Sequence, residues 1–297
     1  DVCSSDLMFK TNRGIHYEGE IHNQLVYSQS KYDTICSDIK IHHYGYLSKN
    51  IASKNKRTRN ITILNEKIKK EPSNKFNYFN LGNEYTALDN LKKAIEYYYK
   101  AYENFDPHTG FGAILLLRII ISNYNTQEYS DALKFIDIAA KYYPEFTDVY
   151  FFKSLVYKDL GKPTLQIKAL EKCIEIGEPS SELKFFYGSG SFKAYSELGN
   201  AYMNLNDFDA AYNYYIEATK SNCDFIDPFY CICDILKEKH ASLDKVNSTI
   251  VNLFSDFPSS YATIAEIFYN EGFYKLSLEY IEKCEQAGIY KIGRAHV

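Results

Sequence analysis

Histidines and cysteines are the residues of this chain best suited to chemistry. Of its 7 histidines, His16, His22, His42 and His43 fall within the first fifty positions. An imidazole can carry a proton near neutral pH or ligate a metal. Along an extended run such as Ile39 to Tyr44 the side chains alternate, which puts His42 and His43 on opposite faces and keeps them from sharing one site easily. Taken singly, each histidine is read as structural or surface. Cys231-Ile-Cys233 with Cys223 could form a soft-metal set. The 7 cysteines, however, show neither paired CxxC spacing nor the density of a disulfide scaffold. Buried helical positions explain them better, in a reducing compartment. Gly188 to Ser191 spells GSGS, which could cradle a phosphate, but the GK[ST] of a nucleotide-binding loop is missing and a plain loop is expected.

The composition narrows the classes. A formal net charge of -4 argues against a nucleic-acid footprint. No stretch has the uninterrupted apolar length of a membrane span; LLLRIII at 115–121 is short and holds Arg118. A cytoplasmic protein is expected. Tyr, Lys, Asn and Ile all have AT-rich codons, so much of the count of 29 Tyr is read as genome composition.

The two ends match nothing between them. The codons GAC GTG TGC TCT TCC GAT CT encode Asp1 to Leu7, and the reverse complement of that stretch encodes Ile292 to Val297. One oligonucleotide in opposite orientations, a sequencing-adapter sequence, accounts for both. Residues 1–7 and 292–297 are therefore set aside as adapter-derived, and both ends are expected to bury little. Residues 8–291 are expected to be an open-ended piece of a longer protein.

Stepping from single residues to elements, an internal repeat dominates. NYFNLGNEYTALDNLKKAIEYYYKAYENFD (77–106) parallels AYSELGNAYMNLNDFDAAYNYYIEATKSNC (194–223). Tyr78, Leu81, Gly82, Asn83, Tyr85, Ala94, Tyr98 and Ala101 recur 117 residues later as Tyr195, Leu198, Gly199, Asn200, Tyr202, Ala211, Tyr215 and Ala218. The spacing resembles the tetratricopeptide pattern, with Tyr in its aromatic slots. Gly82 and Ala94 offer small surfaces where two antiparallel helices cross, and one such hairpin must stack on others to bury its apolar face. Weaker copies place the Gly82-equivalent positions at 82, 120, 154, 199, 233 and 265. The spacing predicts twelve helices in six hairpins over 73–291, wound into a right-handed superhelix, with residues 178–191 as a loop dividing them into two blocks of three. Asn83 and Asn200 follow the packing glycines, on the groove side in tetratricopeptide proteins. They are candidates for hydrogen-bonding an extended peptide's backbone, the alternative being two solvated polar residues.

The front segment lacks this pattern. Residues 8–28 read as two short strands around a turn at Thr11-Asn12-Arg13-Gly14. A basic helix follows within 48–72, with Ile61, Leu64 and Ile68 on one face and Pro72 closing it. The ordered set YEGEIHNQL (17–25), SDIKIHHYGYL (37–47), KNKRTRN (54–60) and then the repeats resembles the downstream part of bacterial family-two glycosyltransferases that carry a repeat domain. The resemblance covers essentially all of 8–290.

That resemblance implies a mostly α chain whose repeats follow the β-containing remnant, at 8–47, of an α/β nucleotide-sugar-binding catalytic domain, with 48–72 as a basic linker helix. In the full-length parent a divalent metal, Mn or Mg, would stabilise charge on the leaving diphosphate. His43 matches a late metal-site His and His22 an acceptor-side His. Where many relatives carry Glu after that His, this chain has Asn23, so no catalytic base is assigned. The parent would move a sugar from a nucleotide-sugar donor to a peptide, protein or glycan acceptor, with the repeats docking acceptor or partner. The piece itself, without the upstream aspartate-rich motif, is expected to be inactive and to hold no cofactor. The alternative is a non-enzymatic tetratricopeptide interaction scaffold.

Overall fold

A computed structural model of the chain describes residues 15–18, 24–27, 53–180, 182–254 and 258–289. It divides into two compact units, Asp1–Phe105 and Asp106–Val297. The first unit holds β1 (Ile15–Glu18), β2 (Gln24–Tyr27), α1 (Ser53–Lys70), α2 (Lys75–Ala87) and α3 (Leu91–Tyr102). The second holds α4 (Gly112–Asn125), α5 (Tyr129–Tyr142), α6 (Thr147–Asp159), α7 (Pro163–Ile176), α8 (Phe192–Asn204), α9 (Phe208–Ser221), α10 (Asp227–Glu238), α11 (Leu243–Leu253), α12 (Tyr261–Asn270) and α13 (Tyr274–Gln286). From α2 onward these are twelve helices in six consecutive hairpins, and no strand occurs among the described residues of that span.

The β1–β2 ribbon corrects one expectation. The strands are antiparallel with Ile15 opposite Tyr27 and Glu18 opposite Gln24, so residues 19–23 connect them, not Thr11 to Gly14. This register pairs Ile15 with Tyr27 and Tyr17 with Leu25, apolar with apolar, the kind of cross-strand match that stabilises a two-stranded ribbon.

The hairpins owe their helices to one-sided apolar stripes. In α3, Ala94, Tyr98 and Ala101 are buried, the i, i+4, i+7 spacing of one face. α4 is buried more completely, with Leu115, Leu116, Leu117, Ile119 and Ile120 all inaccessible. Side chains of Asn90, Asp207 and Ser242 cap the starts of α3, α9 and α11, each satisfying an amide with no partner inside the helix.

Every hairpin turns the same way. Two residues past the first helix lies a residue with positive φ: Asp89, Gln127, Gly161, Asn206, His240 and Gly272. The next amide bonds back to the last turn: Asn90 to Tyr85, Glu128 to Asn123, Lys162 to Tyr157, Asp207 to Tyr202, Ala241 to Leu236 and Phe273 to Phe268. This six-to-one bond is the Schellman closure of a helix, which requires the left-handed residue before it.

The loop 178–191 behaves differently from its expected role as a divider. Leu170 and Cys173 of α7 share a core cluster with Ala194 and Leu198 of α8, so the helices on either side of the loop pack together. The loop folds back onto α6 and α7. Asp148, in the first turn of α6 and fully buried, accepts hydrogen bonds from the amides of Phe185 and Phe186 at 3.0 Å each and from the Ser189 hydroxyl. A Cβ on Gly190 would lie 2.0 Å from the Gly177 carbonyl oxygen, so only glycine fits that approach. The GSGS stretch is thus committed to packing: Ser189 is inaccessible, with its hydroxyl on Asp148.

Candidate docking surface on the helical hairpins

In the first hairpin, α2 carries Leu81-Gly82-Asn83 and α3 carries Tyr98. Leu81 and Tyr98 are inaccessible to solvent. The Tyr98 ring lies directly over Gly82, where a Cβ would come within 2.4 Å of Cε1. Its hydroxyl, held among polar groups at the rim of this contact, donates to Asn83 Oδ1 at 2.9 Å and lies 2.9 Å from Thr86 Oγ1. Asn83 is half-buried, and its Nδ2 has no partner among the described residues.

The fourth hairpin repeats the device. The Tyr215 ring, from α9, covers Gly199 of α8, where a Cβ would lie 2.5 Å from Cε1. Its hydroxyl donates to Asn200 Oδ1 at 2.8 Å. Burial first, and then the neighbouring Cys231, push the Tyr215 phenol pKa up, which keeps it a donor at any ordinary pH. Asn200, also half-buried, spends one Nδ2 proton on a long contact to Glu197 Oε1, 3.3 Å. Neither asparagine is simply solvated. Each has its carbonyl engaged by the partner helix.

A second repeated pair accompanies these. Tyr85 stacks on Tyr97 at 5.4 Å between centroids, and Tyr202 on Tyr214 at 5.3 Å. Tyr97 and Tyr214 also stand 117 positions apart, a correspondence the motif comparison passed over because helix two was aligned on its alanines and on the tyrosine that follows each.

The cysteines divide by burial. Cys173, Cys233 and Cys284 are buried on helices, Cys231 is half-buried and Cys223 is exposed. Burial raises the thiol pKa of Cys231, and that of Cys233 to about 12. Protonated thiols are poor metal ligands, and Cys233 sits in the core cluster of α9 to α13. The soft-metal reading finds no support in this arrangement. Among the described residues no group of three or more His, Cys, Asp or Glu could hold a metal ion. His22 and His43 lie outside the described residues, as do both chain ends, and for His16 only the backbone of β1 is described. No helix among the described residues is long and apolar enough to cross a membrane.

Sequence reasoning missed two buried polar anchors. Glu84 of α2, 1 % exposed, accepts from Arg57 Nη1 at 2.9 Å and Asn60 Nδ2 at 2.8 Å of α1. Two residues of the KNKRTRN stretch therefore fasten α1 to the first hairpin, beyond the role of a linker. The other anchor is Asp148. Buried carboxylates mark both, but their partners lie tens of residues away in the chain.

Residues 77–104, 147–176 and 192–222 each match the family model described as tetratricopeptide repeat. The fold is that of tetratricopeptide repeats. The structure is similar to that of a tetratricopeptide repeat protein from Parabacteroides merdae ATCC 43184, with a TM-score of 0.50 over 82% of this chain and 91% of that one, at 17% identity; this is a likeness of fold. The chain is also similar to the SPbeta prophage-derived glycosyltransferase SunS of Bacillus subtilis strain 168 and to glycosyltransferase SunS of Bacillus phage SPbeta. Each is 29% identical over 154 residues, which is 50% of this chain and 36% of the relative. The chain thus spans about a third of the length of the curated relatives it matches. The tetratricopeptide matches at 77–104 and 192–222 each contain one Gly–Asn–Tyr device.

Proposed function

We propose that the tetratricopeptide hairpins dock extended segments of a peptide or protein, with Asn83 in the first unit and Asn200 in the second each a point of contact with a segment's backbone. The observation that carries this reading is the repeated amide: a half-buried asparagine beside the packing glycine, with its Nδ2 protons turned away from the tyrosine that holds its carbonyl. A side-chain amide can meet the alternating donors and acceptors of a strand-like peptide without reading its side chains. The test is to select an acetylated, amidated octapeptide from a randomised synthetic library against the full chain and titrate it. Asn83→Ala or Asn200→Ala should weaken it about threefold to tenfold. Failure to select any octapeptide would sink the reading.

The likeness to the two SunS glycosyltransferases favours a second layer to this proposal: the docking module serves a protein that transfers sugar from a nucleotide-sugar donor, and what it docks is the acceptor. The HYGYL stretch (43–47) and the order of front segment, basic helix and repeats support that layer. The described residues offer no cradle for the divalent metal such chemistry would use, so no step is derived through it. His43 as a metal ligand and His22 on the acceptor side remain part of this proposal. In the protein extended upstream, His43→Ala should lower turnover sharply and His42→Ala should not; equal small effects would remove His43 from it.

A further inference from the structure

We infer that Tyr98 and Tyr215 are positioning residues of the docking surface: each buried phenol locks its asparagine with Nδ2 outward, so that the surface reads backbone carbonyls. This rests on the proposed docking function and deepens it. An asparagine amide is two-faced, acceptor on one side and donor on the other, and free rotation lets it answer either group of a peptide bond. Here the choice is removed. Tyr98 donates to Asn83 Oδ1 at 2.9 Å and Tyr215 to Asn200 Oδ1 at 2.8 Å. The donors are fixed in turn, because each ring is inaccessible to solvent or nearly so, at 0% and 1%, against its own glycine. Thr86 Oγ1 donates to the Gly82 carbonyl oxygen at 3.1 Å and lies 2.9 Å from the Tyr98 hydroxyl, so it anchors the phenol to the same turn of α2. Two hairpins thus share one bond, from a buried phenol to the oxygen of an asparagine amide. Each amide oxygen is drawn towards the hairpin interior by one bond from the phenol, which turns its N–H groups to the other side.

The consequence is a one-sided code: the matching partner is an extended chain that offers a carbonyl oxygen to whichever of these amides it meets. Phenylalanine in place of either tyrosine keeps the ring over the glycine and deletes only the hydroxyl. The test uses the full-length chain and the library-selected octapeptide. In nitrogen–proton correlation spectra, Tyr98→Phe should move the side-chain amide peaks of Asn83, and Tyr215→Phe those of Asn200, the peaks being assigned by their loss in Asn83→Ala and Asn200→Ala. The Phe variant beside the asparagine that the octapeptide meets, identified by the Ala variants, should weaken it about threefold to fivefold. An ester-for-amide version of the octapeptide, which loses alternate N–H groups and keeps every carbonyl, should bind within about threefold of the parent. Unmoved amide peaks in both Phe variants, or full affinity in both while the Ala variants lose theirs, would overturn the positioning role and leave docking standing. Loss of binding by the ester version alone would overturn the carbonyl preference. If no octapeptide binds the wild-type chain, the docking reading falls, and the spectra alone decide whether the amides are held.

Discussion

The Tyr98 ring occupies the space that a side chain at Gly82 would need. A Cβ there would sit 2.4 Å from Cε1 and 2.5 Å from Cδ1 of a ring with no solvent exposure. Relief would require the whole tyrosine to leave its place between two helices.

Gly82→Ala should therefore cost about 1–3 kcal/mol through overpacking, and Gly199→Ala, facing Tyr215 at 2.5 Å, a similar amount. Urea unfolding followed by circular dichroism measures it. A joint Gly82→Ala, Tyr98→Leu variant should recover part of the loss, since the smaller side chain vacates the site; no recovery would mean the clash lies elsewhere.

The hairpin turns give a prediction of opposite sign. Gln127 holds φ at 62° and has a side chain, whereas Gly161 holds 64° at the equivalent turn. A non-glycine residue in the left-handed region is strained by about 1 kcal/mol. Gln127→Gly should raise stability by a few tenths to about 1 kcal/mol, and Gly161→Ala should lower it by about as much. No neighbour lies within 4 Å of an added Cβ at Gly161, so any loss there is backbone strain.

Asp148 gives a pH dependence. Burial raises its pKa above the ordinary 3.8, against the lowering effect of its bonds to Ser189, Phe185 and Phe186. Between 3.8 and that raised value the folded chain holds a proton that the unfolded chain releases. Stability from this group therefore falls as pH rises through the window. Asp148→Asn lacks the titration. The stability of the wild type relative to that variant should grow as pH is lowered from neutral towards 4, and stay level above the window. A difference that shrinks on acidification would contradict the burial argument.

Arg57 should matter more than its neighbours. Arg57→Ala removes one partner from Glu84, a nearly inaccessible carboxylate, and should cost about 1–3 kcal/mol. Arg59 is exposed, and Arg59→Ala should leave the unfolding midpoint unchanged. Equal effects from both would show that α1 is held by its apolar face alone.

The sequence carried the hairpins well because their signals are local. Ala94 with Tyr98, or Ala132 with Ile136, stand at spacings that helical geometry alone brings to one face, and even the degenerate Cys233 and Ala265 are buried on first helices. It carried the polar anchors poorly. Asp148 meets its partners 37 to 41 residues later and Arg57 meets Glu84 across 27, and nothing in the intervening pattern marks either pairing. The tyrosines fall between these cases. Genome composition explains an abundance of Tyr, but it says nothing of which hydroxyls find a buried acceptor; Tyr98 and Tyr215 do, while Tyr269 and Tyr274 stay more than half exposed. The β1–β2 register failed for another reason: Thr11 to Gly14 has the residues of a turn, but turn composition does not say which flanking segments pair, and the paired strands lie on either side of 19–23.

All six hairpin turns close through main-chain atoms, with an amide returning to a carbonyl five residues back. The triplets that make them, Leu-Asp-Asn, Thr-Gln-Glu, Leu-Gly-Lys, Leu-Asn-Asp, Lys-His-Ala and Glu-Gly-Phe, have no residue common to all six at any position. A joint built this way constrains only its middle position, which must hold the left-handed backbone, so lineages can drift at the flanking positions without losing the bend. It also needs nothing from the neighbouring hairpin, which means a duplicated or deleted hairpin arrives or departs with its own closure intact. An array of such parts can change its length over evolutionary time while each surviving repeat goes on folding as before.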